Sequence, residues 1–186
     1  YPSCRGTHPA IDATLGLKQQ NQFDINDIAE IEVHGSAWIQ TAAQYPRPTS
    51  GLQGKFSVEY CVARILVENE VGMKHFTDEQ VMEPKIQELV NKTKYIPDPQ
   101  AVAFVPCEVV VKLKDGRVLS HKVTSVSGDP TAPVSEETLY SKYRDCAAVV
   151  LAPSRVEKSL DMVANLEKVR DVADLMSIVC KTGAAK

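Results

Sequence analysis

The stretch VPCEVVVKLKDGRVLSHKV, residues 105–123, decides the fold class. Val109, Val111 and Leu113 alternate with other residues ahead of Lys114, Asp115 and Gly116, and Leu119, His121 and Val123 alternate after them. A period of two marks strands with one buried face, so the stretch reads as two antiparallel strands joined by a tight turn. The turn sets the register. A two-residue Asp-Gly loop would pair Leu113 with Val118 and bring Ser120 and Lys122 onto the apolar face. A three-residue loop ending at Gly116 aligns the apolar sets instead, and that register is expected. His121 is then a sheet-face residue with a structural part.

Working outward, FDINDIAEIEVHGSAW (residues 23–38) has turn residues at Asp24, Asn26 and Asp27 and then alternation at Ala29, Ile31 and Val33. This is a further strand with one buried face, ended by His34 and Gly35, where His34 reads as a hydrogen bonder. Residues 36–44 fit either helix or loop, and Trp38, the single tryptophan, is expected to pack. From residue 53 to 69 one stripe (Phe56, Tyr60, Ala63, Val67) is joined by a second (Val58, Val62, Ile65, Leu66). Two stripes predict one long helix buried on most sides, the centre of the core, with Cys61 inside it and Gly72 near its end. Thr77 with Gln80 caps a short helix, Pro84 starts another through Val90, and Tyr95 to Pro99 is extended or loop.

Beyond the strand pair, residues 127–133 form a loop. Ser135 caps a helix with a stripe at Leu139, Tyr143, Cys146, Ala147 and Val150; Ser154 with Glu157 opens another, and Val172, Leu175, Met176 and Val179 mark the last. No repeat or low-complexity linker interrupts the pattern. The expectation is a single α+β domain over residues 1–186, an antiparallel sheet of three to four strands packed by helices in a two-layer sandwich.

With 186 residues, 44% hydrophobic and 24% charged, the chain can build its own core. A net charge of −3, with basic residues scattered along the chain, gives no reason to expect nucleic acid. No apolar run approaches the ~20 residues of a membrane helix, and no basic and apolar leader opens the chain, so no membrane partner is expected. The five cysteines, Cys4, Cys61, Cys107, Cys146 and Cys180, are dispersed without a C-x-x-C pair. That usage fits reduced thiols and a cytoplasmic location. Cys61 and Cys146 fall in apolar patterns and read as core residues.

Two stretches carry chemistry. YPSCRGTHPAIDA, residues 1–13, places a thiol, a guanidinium, a hydroxyl and an imidazole at Cys4, Arg5, Thr7 and His8, just ahead of Pro9. Proline suits the first helical position, which makes His8 or Thr7 the cap of a helix over residues 10–20. Backbone N–H groups at that helix start, together with Arg5, favour an anion such as a substrate carboxylate. The alternative is a capped surface helix behind an exposed loop. Cys4 and His8 have a spacing able to bite a metal, but zinc needs three or four protein ligands and no second pair is present, so no metal is expected.

YPRPTSGLQGKF, residues 45–56, is the other stretch. Pro46 and Pro48 force an extended path into a turn at Thr49, Ser50 and Gly51. The glycines do not make a phosphate loop, because Phe56 follows Lys55 where a serine or threonine is required. Tyr45, Arg47 and Lys55 offer a phenol and two cations, the groups that hold carboxylates and move a proton. The alternative is a solvated loop with a lysine at a helix start.

YPSCRGTHPAIDA, then QYPRPTSGLQGKFSVEYCVARILV with its KFSxxY-type block, then VPCEVVVKLKDGRVLSHKV resemble, in order and separation, the carboxy-terminal domain of the MmgE/PrpD family. The resemblance covers nearly the whole chain. The family includes 2-methylcitrate dehydratase, cis-aconitate decarboxylase and an iminodisuccinate epimerase. The resemblance therefore implies a small polycarboxylate substrate, proton transfer beside a carboxylate, and no cofactor. It also implies a smaller α+β lid following a large helical domain. The chain opens at Tyr1, so it reads as a piece of a longer protein that lacks the family's lysine just upstream.

On the resemblance, the parent is a 2-methylcitrate dehydratase-like lyase, with a histidine or lysine of the helical domain as base and a second copy as homodimer partner. Cys4, His8 and Tyr45 are its catalytic candidates here; Arg5, Arg47 and Lys55 are its substrate-binding candidates. A tyrosine near the place of Tyr45 lines the site in decarboxylase-like relatives. Some decarboxylating relatives carry histidine where Cys4 stands, which leaves dehydration, decarboxylation and epimerisation all open. A reading from a different class is a stand-alone carboxylate-binding or dimerisation module without catalysis.

Overall fold

Strand register fixes which face of the sheet the helices cover. The computed structural model describes residues 1–180. Strands β1 (Ile28–Gly35), β2 (Thr93–Pro97), β3 (Cys107–Leu113) and β4 (Val118–Val123) form one sheet in the order β2-β1-β3-β4. β3 lies antiparallel between β1 and β4 in the expected register, with Val111 opposite Leu119 and Val109 opposite His121. The three-residue loop closes on Leu113 N–H bonding Arg117 O at 2.9 Å, and Gly116 adopts φ +89°, a conformation glycine enters without a side-chain penalty. The fold is α+β, and the sheet is antiparallel except for β1 and β2, which run parallel because a helical crossover separates them. A register shift between Ile28 and Glu30 sends Ile28 into the core and leaves Ala29 exposed, so the alternation expected through Ala29 begins one residue off.

In the first of two compact units, Tyr1–Pro133, the helices are α1 (His8–Gln20), α2 (Ala37–Ala42), α3 (Gly51–Gly54), α4 (Val58–Glu68), α5 (Asp78–Val81) and α6 (Pro84–Lys92). Ile11 and Leu17 of α1, Ile65 and Leu66 of α4, and Ile86 and Leu89 of α6 close over Ile31, Val33, Val109 and Val111. Each such fully buried side chain contributes about 1.5–3 kcal/mol. The other face of the sheet is a charged ladder, where Lys112 reaches Glu30 at 3.2 Å and Glu32 at 2.5 Å.

The single helix expected over residues 53–69 is two. After α3 the chain turns through Lys55 and Phe56, and Ser57 restarts it as the cap of α4, its Oγ accepting from Tyr60 N–H at 3.1 Å. Apolar periodicity runs through the break, but Phe56 is partly exposed. The end comes at Asn69, left-handed at φ +59°, with Gly72 further on. Trp38 is 51% exposed and meets Phe104 edge-on, so it is not the packed residue expected. His121 lies against Gly16 of α1, where any Cβ would meet its ring.

The second unit begins at Val134 and holds α7 (Glu136–Ala147), α8 (Pro153–Ala164) and α9 (Val172–Val179). Ser135 caps α7 as expected, whereas α8 starts at Ala152 and Pro153 without a side-chain cap from Ser154. No residue of α7 is buried: Leu139 is exposed and Cys146 only half-buried, so neither is the core residue the stripe predicts.

Candidate functional site

Three separated segments are laced together by main-chain hydrogen bonds in front of α1 and α4. Cys4 N–H donates to Lys55 O at 2.8 Å, and Tyr45 N–H donates to Phe56 O at 3.2 Å. The Cys4 thiol faces Ala42 O at 3.9 Å. The connection between α3 and α4 thus has Cys4 bonded at Lys55 and Tyr45 at Phe56, and the predicted site stretches meet. The break at Lys55 makes this possible, since a continuous helix would have used both carbonyls internally.

The opening loop is shaped differently from the expected anion cradle. A 3-10 turn, Arg5–Thr7, runs straight into α1, with Thr7 N–H bonding Cys4 O at 2.9 Å. Thr7 is the cap residue but makes no side-chain cap bond; its hydroxyl donates to Cys4 O at 2.9 Å and receives Ser3 Oγ at 2.8 Å. The turn occupies the position in which the backbone donors of α1 were expected to hold an anion.

Arg5 is already engaged. Its guanidinium pairs with Asp129, stacks over Phe104 at 5.2 Å, and approaches His8 Nδ1 at 3.4 Å. Arginine only donates, so Nδ1 accepts and the His8 proton sits on Nε2, aimed at Ser3 O 3.3 Å away. Tyr1 lies edge-on to His8 and donates its hydroxyl to Asp12 Oδ1 at 2.6 Å; burial first, and then Asp12, push that phenol well above its ordinary pKa. The other oxygen of Asp12 accepts Ser127 N–H at 2.7 Å. Asp12 and Asp129 therefore clip the opening segment to the loop at residues 126–132, an arrangement whose partners lie more than a hundred residues apart.

The remaining cations are placed apart from Arg5. Arg47 is exposed and donates to Pro46 O at 2.7 Å and Thr93 O at 3.4 Å. Lys55 turns its ammonium toward Met73 Sδ at 3.5 Å and the Phe76 ring at 5.2 Å. Among the described residues neither has a carboxylate within ion-pair distance, although the Arg47 charge acts on Glu59 from further off. Beneath the loop, the Cys61 thiol is fully buried near Thr7 and Ser3, and burial pushes it up to about 12, so it is inert core as expected. Sequence reading missed Asp12, Asp129, Glu59 and Tyr95. Glu59 alone left a local signal, a carboxylate in a helix whose neighbours are apolar all round. No group of three or more His, Cys, Asp or Glu side chains is disposed to hold a metal among the described residues. Nor is any described helix long and apolar enough to cross a membrane.

Comparison with known proteins adds to this geometry. The family model for the MmgE/PrpD C-terminal domain matches residues 1–168. The cis-aconitate decarboxylases of Mus musculus and Homo sapiens are each 28% identical over 137 residues, covering 72% of this chain and 28% of theirs. That of Aspergillus terreus is 24% identical over 197 aligned positions, 96% of this chain and 39% of the relative. The chain thus spans well under half the length of these relatives.

Proposed function

Since the chain belongs to the MmgE/PrpD family, matching its C-terminal domain, we propose that it is the lid-type part of a lyase acting on a small polycarboxylate, with decarboxylation of a cis-aconitate-like substrate as the favoured reaction. The relatives' names favour decarboxylation over the 2-methylcitrate dehydration expected from the resemblance. The observation that carries the reading is the convergence of Cys4, Tyr45 and Lys55 through two main-chain bonds, with no carboxylate within ion-pair distance of Lys55 or Arg47 among the described residues.

Losing carbon dioxide leaves a carbanion that must be held by neighbouring cations and then protonated. Lys55 and Arg47 are the groups here that would hold the retained carboxylates. Tyr45, as a phenol, and His8, once its Nε2 proton turns from Ser3 O, are the candidate donors, and Cys4 is a polar wall beside them. Arg5, held by Asp129, would act on the loop unless a substrate carboxylate displaces that partner. On this reading the base and the rest of the pocket come from a helical domain of the same parent chain, and the parent works as a homodimer.

The test is turnover by the complete enzyme. Carbon dioxide release from cis-aconitate is the expected result, with no turnover by the 186-residue chain alone. Dehydration of 2-methylcitrate without decarboxylation would restore the dehydratase reading, and activity of the isolated chain would show that the catalytic groups had been assigned to the wrong part.

A further inference from the structure

Next to Pro46, α2, the start of α4 and β2 line a partly open cavity of about 230 Å³. Ala43 and Val58 give it apolar wall, Glu59 and Tyr95 give it polar wall, and Gln40 and Gln44 stand exposed among its lining residues. We propose that this cavity binds the primary ammonium group of a small organic amine, with Glu59 as its counter-ion. The proposal is independent of the polycarboxylate reading.

The chemistry follows from where the protons already go. Ser57 Oγ donates to Glu59 Oε2 at 3.4 Å, and Tyr95 donates its hydroxyl to Ser36 O at 2.9 Å. Both hydroxyl protons are spent on the protein, so toward any further partner the Tyr95 oxygen can only accept. Glu59 is 4% exposed and has no cation within ion-pair distance among the described residues. A buried carboxylate without a counter-ion is costly, and burial accordingly pushes its pKa up. An ammonium group brings one positive charge and three donors, which Glu59, the Tyr95 oxygen and the glutamine carbonyls can receive. A carboxylate ligand would meet Glu59 head-on and find donors only in the exposed amides.

The other groups that act on Glu59 do not supply this charge. Arg47 is the nearby cation, exposed to solvent and engaged with two carbonyls. Tyr95 and the buried Cys61 are neutral at ordinary pH, the Cys61 thiol being pushed up to about 12 by burial. Binding an ammonium favours ionised Glu59, so a proton is released on binding and affinity rises with pH until Glu59 is fully ionised.

The experiment is calorimetric titration of the 186-residue chain with n-propylammonium chloride at constant ionic strength. Sodium chloride and sodium acetate serve as control titrants, at two pH values and in two buffers of different ionisation enthalpy. Saturable 1:1 binding with proton release, tighter at the higher pH, is expected. Glu59→Gln should weaken it roughly tenfold or more, the fold-change of a lost charge-assisted hydrogen bond. Carboxyl-labelled NMR on the unaltered chain gives a second reading, in which the amine should lower the Glu59 titration midpoint. Propylammonium binding no better than sodium, acetate binding with proton uptake, undiminished affinity in a folded Glu59→Gln protein, or an unmoved Glu59 midpoint would each overturn the proposal.

Discussion

The two ends of α4 bury the same kinds of side chain and finish them differently. Toward its C-terminus, Arg64 is wholly buried, donating to Tyr60 Oη at 3.0 Å, Glu68 Oε1 at 2.5 Å, Glu83 Oε2 at 3.0 Å and Gln80 O. Tyr60 donates its hydroxyl to His75 O, and His75 accepts Gly72 N–H on Nδ1 at 2.8 Å while donating from Nε2 to Glu68 at 3.0 Å. Every group in that cluster is answered by another. At the N-terminus, Glu59 has a backbone hydrogen bond and a long one from Ser57 but no cation within ion-pair distance, beside a cavity, and the preceding connection presents Lys55 with a thioether and a ring as partners. A closed network is what a scaffold needs, since partial satisfaction inside a protein is costly. An open one marks where something from outside can complete the pairing.

Removing Arg64 should give the largest effect. Arg64→Ala empties the site of a wholly buried side chain and leaves the buried Tyr60 oxygen without its donor, while Glu68 and Glu83, at 36% and 40% exposure, are taken up by water; a loss of about 2–5 kcal/mol is expected. Chemical denaturation of the 186-residue chain measures it; a loss near that of an exposed salt bridge would mean that the two ends are not different in kind.

A smaller change is expected at the other end, and it depends on pH. The Glu59 carboxyl has a folded pKa raised above its ordinary 4.5, so the protonated form favours the fold. That contribution is fully present below pH 4.5 and is lost as pH rises through the folded value. Glu59→Gln cannot lose a proton, so the decline attributable to this site should vanish from its stability profile, leaving the variant relatively more stable at neutral pH. Parallel profiles for the two proteins would show that Glu59 is compensated after all.

What could be read from sequence follows the range of the interaction involved. The turn at Lys114 to Gly116 and the pairing of Val111 with Leu119 were legible because alternation and turn length constrain each other locally. β2 was legible only as an extended or loop stretch from Tyr95 to Pro99, because Lys94 and Pro97 sit on an edge strand whose neighbour, β1, is some sixty residues away. The break before Ser57 was hidden by apolar periodicity that Phe56 continues while lying on the surface. The stripe on α7 was real as a pattern but did not tell what covers it. At the site, Cys4, Arg5 and His8 could be grouped from their spacing. The occupation of Arg5 by Asp129 could not be, since its partner lies more than a hundred residues away, and the site proposed above rests on Lys55 and Arg47 for that reason.

The most direct test of the proposed site is therefore Lys55→Met in the complete enzyme, with kinetics and melting measured on the same preparation. Methionine keeps an unbranched apolar stem over Phe76 and removes the charge, and the lost cation–π contact is worth only about 0.5–1 kcal/mol. Loss of a charge-assisted bond to a substrate carboxylate should lower kcat/KM for cis-aconitate by roughly 10- to 100-fold with the melting temperature little changed. Wild-type kcat/KM in a folded Lys55→Met enzyme would contradict the assignment of this convergence as the carboxylate-holding part of the active site.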